Sequence, residues 1–396
     1  MRILEIETFG RGGLVHYSYN LARALAERGH EVTLLTTRGY ELHDRPIPSG
    51  MAVHTPLARF TNGRGRALPG LIIDRARSAE AVLDAVKAAA FARRTRPDLI
   101  HFHSTNTSSL LYLMLLRTAD IPVVTTAHQV TPHERIRFQD AIYRRIHRLP
   151  DAVVAHSEVD RRRLVQEFGL DGGSIVVVPH GEYGFFDGGR DIPEPDQARR
   201  HLGLQAHHEV VLFFGHIRDY KGLDLLLECW PVVAAARPNA RLVVAGDPGR
   251  LSDDRRNELR ARADAVGAIH RFEYIPFAEV ATYFSASDVV AMPYRKLSQS
   301  GVLYLALSQG VAVVASAVGG IPEVLTDGES GLLVPPGSVS ALGEALIRVL
   351  ADEELRSRLA AGGGSVAREH SWPAIAKAIE RVFRRLVAGQ SVRPAS

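Results

Sequence analysis

Short apolar runs closed by glycine, proline or a charged residue alternate along this chain with longer stretches whose apolar positions return at helical spacing. In the first half the runs are ILEIE, EVTLLT, DLIHFH, IPVVTTAH, AVVAHS and SIVVVPHG. VHYSYNLARALAERG and AEAVLDAVKAAAFARRT are among the helical stretches between them. Strands alternating with amphipathic helices predict a parallel sheet covered by helices on both faces.

The rhythm breaks at EYGFFDGGRDIPEPD, a stretch rich in Gly, Pro and acids that reads as a linker near 182–196. It then resumes with EVVLFFG, ARLVVAGD, IHRFEYI, DVVAMPY and VAVVAS. The expected fold class is therefore α/β, with two doubly wound Rossmann-like domains, 1–183 and 184–372, facing across a cleft. Ligands of open α/β sheets bind at the carboxyl ends of the strands, so those ends are where chemistry is sought.

Composition narrows the picture. At 396 residues, 46% apolar and 23% charged, the chain suits two globular domains. Its single cysteine, Cys229, rules out an internal disulfide and cysteine-rich zinc sites, and its helical setting makes it a core residue. The apolar run at the N-terminus is too short for a secretory signal, and LLYLMLL at 110–116 is far below a membrane span. A cytoplasmic protein is the expectation. Net charge is +4, and its distribution is uneven: residues 1–185 carry 24 Lys+Arg against 19 Asp+Glu, the remainder 24 against 25.

The stretch FFGHIRDYKGLDLL puts Arg218 and Lys221 between a strand end and a helix that starts near Leu223. Unpaired N–H groups and the helix dipole favour an anion there. In the first domain, Gly10, Gly12 and Gly13 lie between the first strand and first helix, allowing close backbone approach to a ligand or simply a tight turn. As a dinucleotide fingerprint this loop fails, because Val15 stands where Gly or Ala is needed and the second strand ends TTR without an acid for a ribose. An NAD enzyme is disfavoured.

From GRGG through TAHQ and PHG to VGGIPEVLTDGESGLLVPPGS, the chain resembles the retaining glycosyltransferases of family 4, whose GT-B fold has two facing Rossmann-like domains. The resemblance spans nearly the whole chain and is most specific between 209 and 340. It implies a nucleotide-diphospho-sugar as co-substrate, no further cofactor and an acceptor held mostly by the first domain. It also implies that a terminal helix, 373–396, returns to the first domain. Lys221, in the matching KG, is implied to contact the donor diphosphate, with Arg218 supplying a second charge and His128 reaching the transferred sugar. The donor side would comprise Gly12, Gly13, Gly215, His216, Gly246, Tyr274, Ser298, Gln299, Ser300, Gly301, Val302 and Glu323. No D-x-D occurs, so metal-independent transfer with retention is the implied reaction.

Two departures stand out. The family commonly has G-R-x-x-x-x-K-G, whereas here His216 follows the glycine and the arginine comes two residues later. The family also shows two glutamates eight positions apart, facing the sugar and the ribose; those places hold Leu297 and Leu305. Loss of both keeps two alternatives open: a non-catalytic nucleotide- or glycan-binding protein acting through a partner, or another GT-B enzyme such as an epimerase or phosphorylase. A site without the sugar-facing acid also suits a deoxyhexose as well as a hexose.

On the acceptor side the candidates are His16, His103, His180, Arg64 and Arg66, for a glycan, lipid-linked or small-molecule acceptor. HERIRFQDAIYRRIHR at 133–148 carries five arginines among Ile136, Phe138, Ile142, Tyr143 and Ile146. Such a face suits either peripheral contact with anionic lipid or, more simply, a solvated helix packed on its own domain. With no reader motif and a small basic excess, nucleic acid is not expected as a partner.

Overall fold

The computed structural model describes residues 1–58, 70–103, 106–130, 139–184, 192–249 and 251–390, with backbone alone at 70–75, 77 and 139. Arg64 and Arg66, the segment 133–138 and residues 185–191 of the 182–196 stretch lie outside these residues. The chain forms two compact units, Met1–Gly181 with Trp372–Ser396, and Glu182–Ser371.

The first unit holds seven parallel strands: β1 (Arg2–Ile6), β2 (Glu31–Thr37), β3 (Met51–Leu57), β4 (Leu99–Phe102), β5 (Val123–Thr126), β6 (Ala152–Ala155) and β7 (Ile175–Val177). Helices α1 (Gly13–Glu27), α2 (Gly70–Thr95), α3 (Ser109–Arg117), α4 (Gln139–Arg148) and α5 (Glu158–Gln166) link them. The order is β3-β2-β1-β4-β5-β6-β7, so the winding reverses between β1 and β4.

Alternate residues of each strand feed opposite faces. Ile3, Val32, Leu34, Leu99 and Val124 pack with α1 on one side, while Leu4, Ile6, Leu35, Ile100 and Phe102 pack with α2 and α3 on the other. Both faces are thus apolar, the requirement for an all-parallel sheet. β3 is absent from the sequence expectation: MAVHTPL alternates weakly and contains Pro56, which an edge strand tolerates. In α4, Tyr143 and Ile146 are buried within the unit, as expected of a solvated helix packed on its own domain.

In the second unit α6 (Pro195–His201) precedes β8 (Glu209–Phe214), α7 (Leu223–Ala236), β9 (Ala240–Ala245), α8 (Asp253–Ala265), β10 (Ile269–Arg271), α9 (Phe277–Ser285) and β11 (Val289–Met292). Then come α10 (Gly301–Ser308), β12 (Ala312–Ser316), α11 (Ile321–Val324), β13 (Leu332–Val334), α12 (Val339–Ala351) and α13 (Glu353–Glu369). Six parallel strands lie in the order β10-β9-β8-β11-β12-β13, reversing between β8 and β11. Val211, Phe213, Leu242 and Val244 face α7 and α12, and Val210, Leu212, Val243 and Ala245 face the other way. Cys229 is buried in the first of these clusters. Asp288, just before β11, accepts from Val210 N at 2.7 Å and from Arg199 at 2.9 Å, a structural role.

The last helix, α14 (Trp372–Val387), packs against α1 of the first unit and buries Trp372, Ile375, Ile379 and Phe383 there.

Candidate functional site

In the second unit the loops after β8 and β11 meet where the sheet reverses. Gly215 ends β8 with φ 97°, and a Cβ there would stand 3.0 Å from Val302 Cγ2 and 3.3 Å from Lys221 Nζ. A Cβ on Gly246, at the end of β9, would lie 1.8 Å from the Gly215 carbonyl, so only glycine permits this approach. Gly222 caps α7 at φ 69°, with its Cβ position 2.0 Å from the Pro293 carbonyl. The backbone of the KG turn is therefore pressed against the β11 loop.

This packing carries Lys221 inward. Its ammonium lies 5.2 Å from the Tyr294 ring centroid, and burial, reinforced by the charge of Arg218, holds its pKa down to about 8. Arg218 donates to the carbonyls of Ile217 at 3.0 Å and Pro248 at 2.6 Å, which fixes its guanidinium beside the β9 loop. Partial desolvation and the charges of Lys221 and Arg218 push His216 below its ordinary pKa. Three cationic or cation-poised groups thus crowd one turn, an arrangement whose mutual repulsion an anion would relieve.

The β11 loop closes the same corner. Ser298 and Ser300 are buried, Gln299 and Val302 half-buried, and Ser300 bonds the Tyr294 side chain. Gly301 opens α10, where a Cβ would come within 2.9 Å of the Tyr183 hydroxyl. The Gly319–Gly320 turn crosses beneath: Gly320 N donates to Ser298 O at 3.2 Å, and a Cβ on Gly319 would meet Leu297 O at 2.1 Å. Leu305 is buried in the core and Leu297 packs against that cluster, so both side chains that replace the family's acids serve packing. Tyr274 sits exposed after β10, two strands from β8, and Glu323 is exposed on α11.

In the first unit the loop after β1 is organised by Glu7, whose buried carboxylate accepts from Phe9 N at 2.6 Å, Gly10 N at 2.8 Å and Thr36 Oγ1 at 2.9 Å. Burial raises its pKa despite those bonds. Gly12 caps α1 at φ 67°, Gly13 is its first residue, and Gly12 N donates to Glu41 Oε2 at 2.9 Å. That carboxylate also lies 3.5 Å from His16 Nε2. A carboxylate oxygen thus occupies the amide expected to face a phosphate.

Further along the carboxyl edge, a histidine follows each of four neighbouring strands: His103 after β4, His128 after β5, His156 after β6 and His180 after β7. Tyr17 of α1 touches all four rings, with centroids 4.6 Å from His128, 5.0 Å from His180, 5.3 Å from His156 and 5.5 Å from His103. Burial, then the neighbouring imidazoles, drives His128 well below its ordinary pKa, and His156 to about 3. These rings are neutral at physiological pH. His128 Nε2 is buried and has no partner among the described residues, where leaving such an atom unsatisfied costs about 1–3 kcal/mol.

Glu5, next to the carboxyl end of β1, is paired with His101, at 3.0 Å, and with His103. Burial opposes its ionisation, but the two imidazoles together carry it down to about 2. His103, pushed to about 4 chiefly by burial, donates Nε2–H to that carboxylate. Two groups among the described residues have ligand atoms within 4.8 Å of one another, His128–His156–His180 and Glu5–His101–His103. In both, hydrogen bonds already engage these side chains.

His156, Glu5, Glu7 and Glu41 were not singled out by the sequence reading. The signal for His156 was present, since DLIHFH, VVTTAH, AVVAH and VVVPH each end on histidine. Only the adjacency of four strands turns that recurrence into a cluster.

Two Rossmann-ordered α/β units in one chain, with cations gathered at the switch point of the second, define a glycosyltransferase of the GT-B architecture. Consecutive sequence profiles agree: residues 11–181 match one described as Glycosyltransferase Family 4, and residues 208–352 one described as Glycosyl transferases group 1. The chain belongs to the family 4 glycosyltransferases. It is 28% identical to the phosphatidyl-myo-inositol mannosyltransferase of Mycobacterium tuberculosis, over 97% of this chain and 96% of the relative. It is likewise 28% identical to the D-inositol 3-phosphate glycosyltransferase of Segniliparus rotundus, over 97% of this chain and 86% of that one. Anabaena Alr3699/HepE in complex with UDP and glucose shares the fold, with TM-score 0.76 and 19% identity over 97% of this chain and 99% of that one. Among the described residues, no helix is long and apolar enough to cross a membrane.

Proposed function

We propose that this glycosyltransferase moves a hexose or deoxyhexose from a nucleotide-diphospho-sugar to a hydroxyl acceptor, with retention and without a metal. The observation that carries this reading is the turn holding Gly215, His216, Arg218 and Lys221 at the β8/β11 reversal. Cleaving the anomeric C–O bond leaves positive charge on the sugar and negative charge on the departing diphosphate. Lys221 and Arg218 stabilise the latter, and preorganised charge of this kind is the usual main source of rate. The acceptor oxygen then bonds the anomeric carbon on the face the diphosphate left, and its proton passes to a phosphate oxygen.

Donor-side contacts are assigned to Ser298–Val302, Gly13, Gly246, Tyr274 and Glu323; Gly12, whose amide Glu41 already engages, is not among them. His128 is assigned to a hydroxyl of the transferred sugar, while His16, His103 and His180 form the acceptor side. The inositol-bearing acceptors in the relatives' names are the first to try here, as free phosphate ester and as lipid.

Calorimetry with UDP, GDP, dTDP and ADP tests the reading on the native protein and on Lys221→Ala. One nucleotide is expected to bind selectively and to weaken at least about tenfold in the variant, the scale of a charge-assisted contact. Full transferase activity in Lys221→Ala would sink it. Turnover in the presence of a chelator, with the product anomer read by NMR, tests metal independence and retention. Leu297 and Leu305 favour a second reading, a nucleotide- or glycan-binding member that does not turn over; sustained transfer by the purified chain excludes it.

A further inference from the structure

Each link between His128 and the edge of the first sheet has a definite donor and acceptor. Burial keeps the His128 and His156 imidazoles neutral, so each carries one N–H. His156 Nδ1 lies 2.9 Å from the Val178 carbonyl oxygen. A carbonyl only accepts, so the His156 proton is on Nδ1 and its Nε2 carries the lone pair. That Nε2 is 3.3 Å from His128 Nδ1, so the His128 proton is on Nδ1 as well. The remaining nitrogen, His128 Nε2, is left as a buried acceptor with no partner among the described residues.

The frame that fixes this order is the sheet itself. Val178 N donates to Ala155 O at 2.9 Å and Ala127 N to Val154 O at 2.8 Å, which extends the β5–β6–β7 ladder to the histidines. Tyr17 packs edge-on to His128 at 84° and so holds the ring plane. We propose that His156 is a positioning residue: relayed from the Val178 carbonyl, it locks His128 in the Nδ1–H form so that Nε2 accepts a hydrogen bond from a sugar hydroxyl.

This inference rests on the proposed contact between His128 and the transferred sugar. It adds a direction, because the group that meets His128 must donate. A donor sugar whose hydroxyl at that place is replaced by fluorine or methoxy, both acceptors only, loses the contact. A metal ion is the competing use of these rings. The donor atoms of His128, His156 and His180 lie within 4.8 Å of one another, but hydrogen bonds to the Val178 carbonyl, between His156 and His128, and to the Gly181 carbonyl already engage these rings. An ion bound there would also need the His128 or His156 nitrogen that the relay engages.

The experiment is nitrogen NMR of histidine-labelled protein, with no substrate present, assigned with His128→Ala and His156→Gln. The Nδ1–H form is the minor one in free imidazole side chains, so its appearance at both His128 and His156 is diagnostic. Nε2–H at His128, or a stoichiometric transition metal in the purified protein, would overturn the relay.

Kinetics on two variants supply the second readout. In His156→Gln one amide reproduces the donor and the acceptor, so His128 keeps Nδ1–H and most of kcat/KM is recovered. In His156→Leu neither is present, and kcat/KM falls about tenfold or more, the scale of one lost hydrogen bond. Equal kcat/KM in Leu and Gln variants, both with native thermal unfolding, overturns the proposal; if His156→Leu does not fold, the native spectrum and the Gln variant decide. His128→Ala separates the two layers: full transfer by it sinks the sugar contact, and in that case the native spectrum decides the relay.

Discussion

Burial holds the Lys221 pKa at about 8 against an ordinary value of 10.5, and the neighbouring Arg218 adds to the shift. In the free protein the ammonium is charged below about 8 and neutral above it. A bound diphosphate favours the charged form, so nucleotide affinity is expected to fall as pH rises past about 8, by up to about tenfold per pH unit. Arg218→Ala removes a like charge and should move that onset upward while weakening binding at neutral pH. Stability runs the other way: the folded state binds fewer protons at Lys221 than the unfolded one, so its contribution rises with pH between about 8 and 10.5. Calorimetry across pH checks the first sign and chemical denaturation the second. Lys221 was legible in the sequence because KG follows a strand and opens a helix. His156 was not, because its meaning comes from His128 on one neighbouring strand and Val178 on the other, residues brought together only by sheet order.

At the scale of elements, strand-like runs marked most of both sheets because parallel strands buried on two faces are almost wholly apolar. β3 escaped because an edge strand needs less burial, and β13 because Leu332–Val334 is three residues long. A different signal governs α14. Its apolar side completes the core beside α1, and its buried Glu380 accepts from Arg28 at 2.6 Å and from Arg384 at 2.6 Å. Burial alone would raise the Glu380 pKa, yet Arg384 and Arg28 bring it down to about 2. The contribution is therefore present above the ordinary carboxyl value of 4.5 and is lost as pH falls from there toward about 2. Glu380→Gln is expected to destabilise the first unit by about 1.5–3 kcal/mol at neutral pH, the range for hydrogen bonds to a charged group. Denaturant unfolding at pH 7 and pH 3 measures it; an equal difference at the two values would contradict the ionic account.

The whole molecule is unequal in how its two units are written into the chain. The second is continuous, Glu182–Ser371, whereas the first is assembled from Met1–Gly181 and Trp372–Ser396. Two crossings suffice, and each unit holds its own ends together: a Cβ on Gly181 would be 2.6 Å from the Trp372 ring, and Glu182 N donates to His370 O at 3.0 Å. Without α14, the first unit exposes the surface now covered by Trp372, Ile375, Ile379 and Phe383, each a residue whose burial is worth about 1.5–3 kcal/mol. That sum rivals the whole stability of a domain. Residues 182–371 expressed alone should therefore unfold cooperatively, whereas 1–181 alone should bind hydrophobic dye and aggregate. Joining Gly181 to Trp372 through a short glycine linker, with 182–371 removed, should restore a cooperative transition, because the two ends already touch. Calorimetry of the three pieces decides the matter: a cooperative transition in 1–181 alone would show that the returning helix is dispensable to the unit it covers. During synthesis the same geometry delays completion of the histidine-bearing unit until the last helix has emerged, after the Lys221-bearing unit has its full sequence.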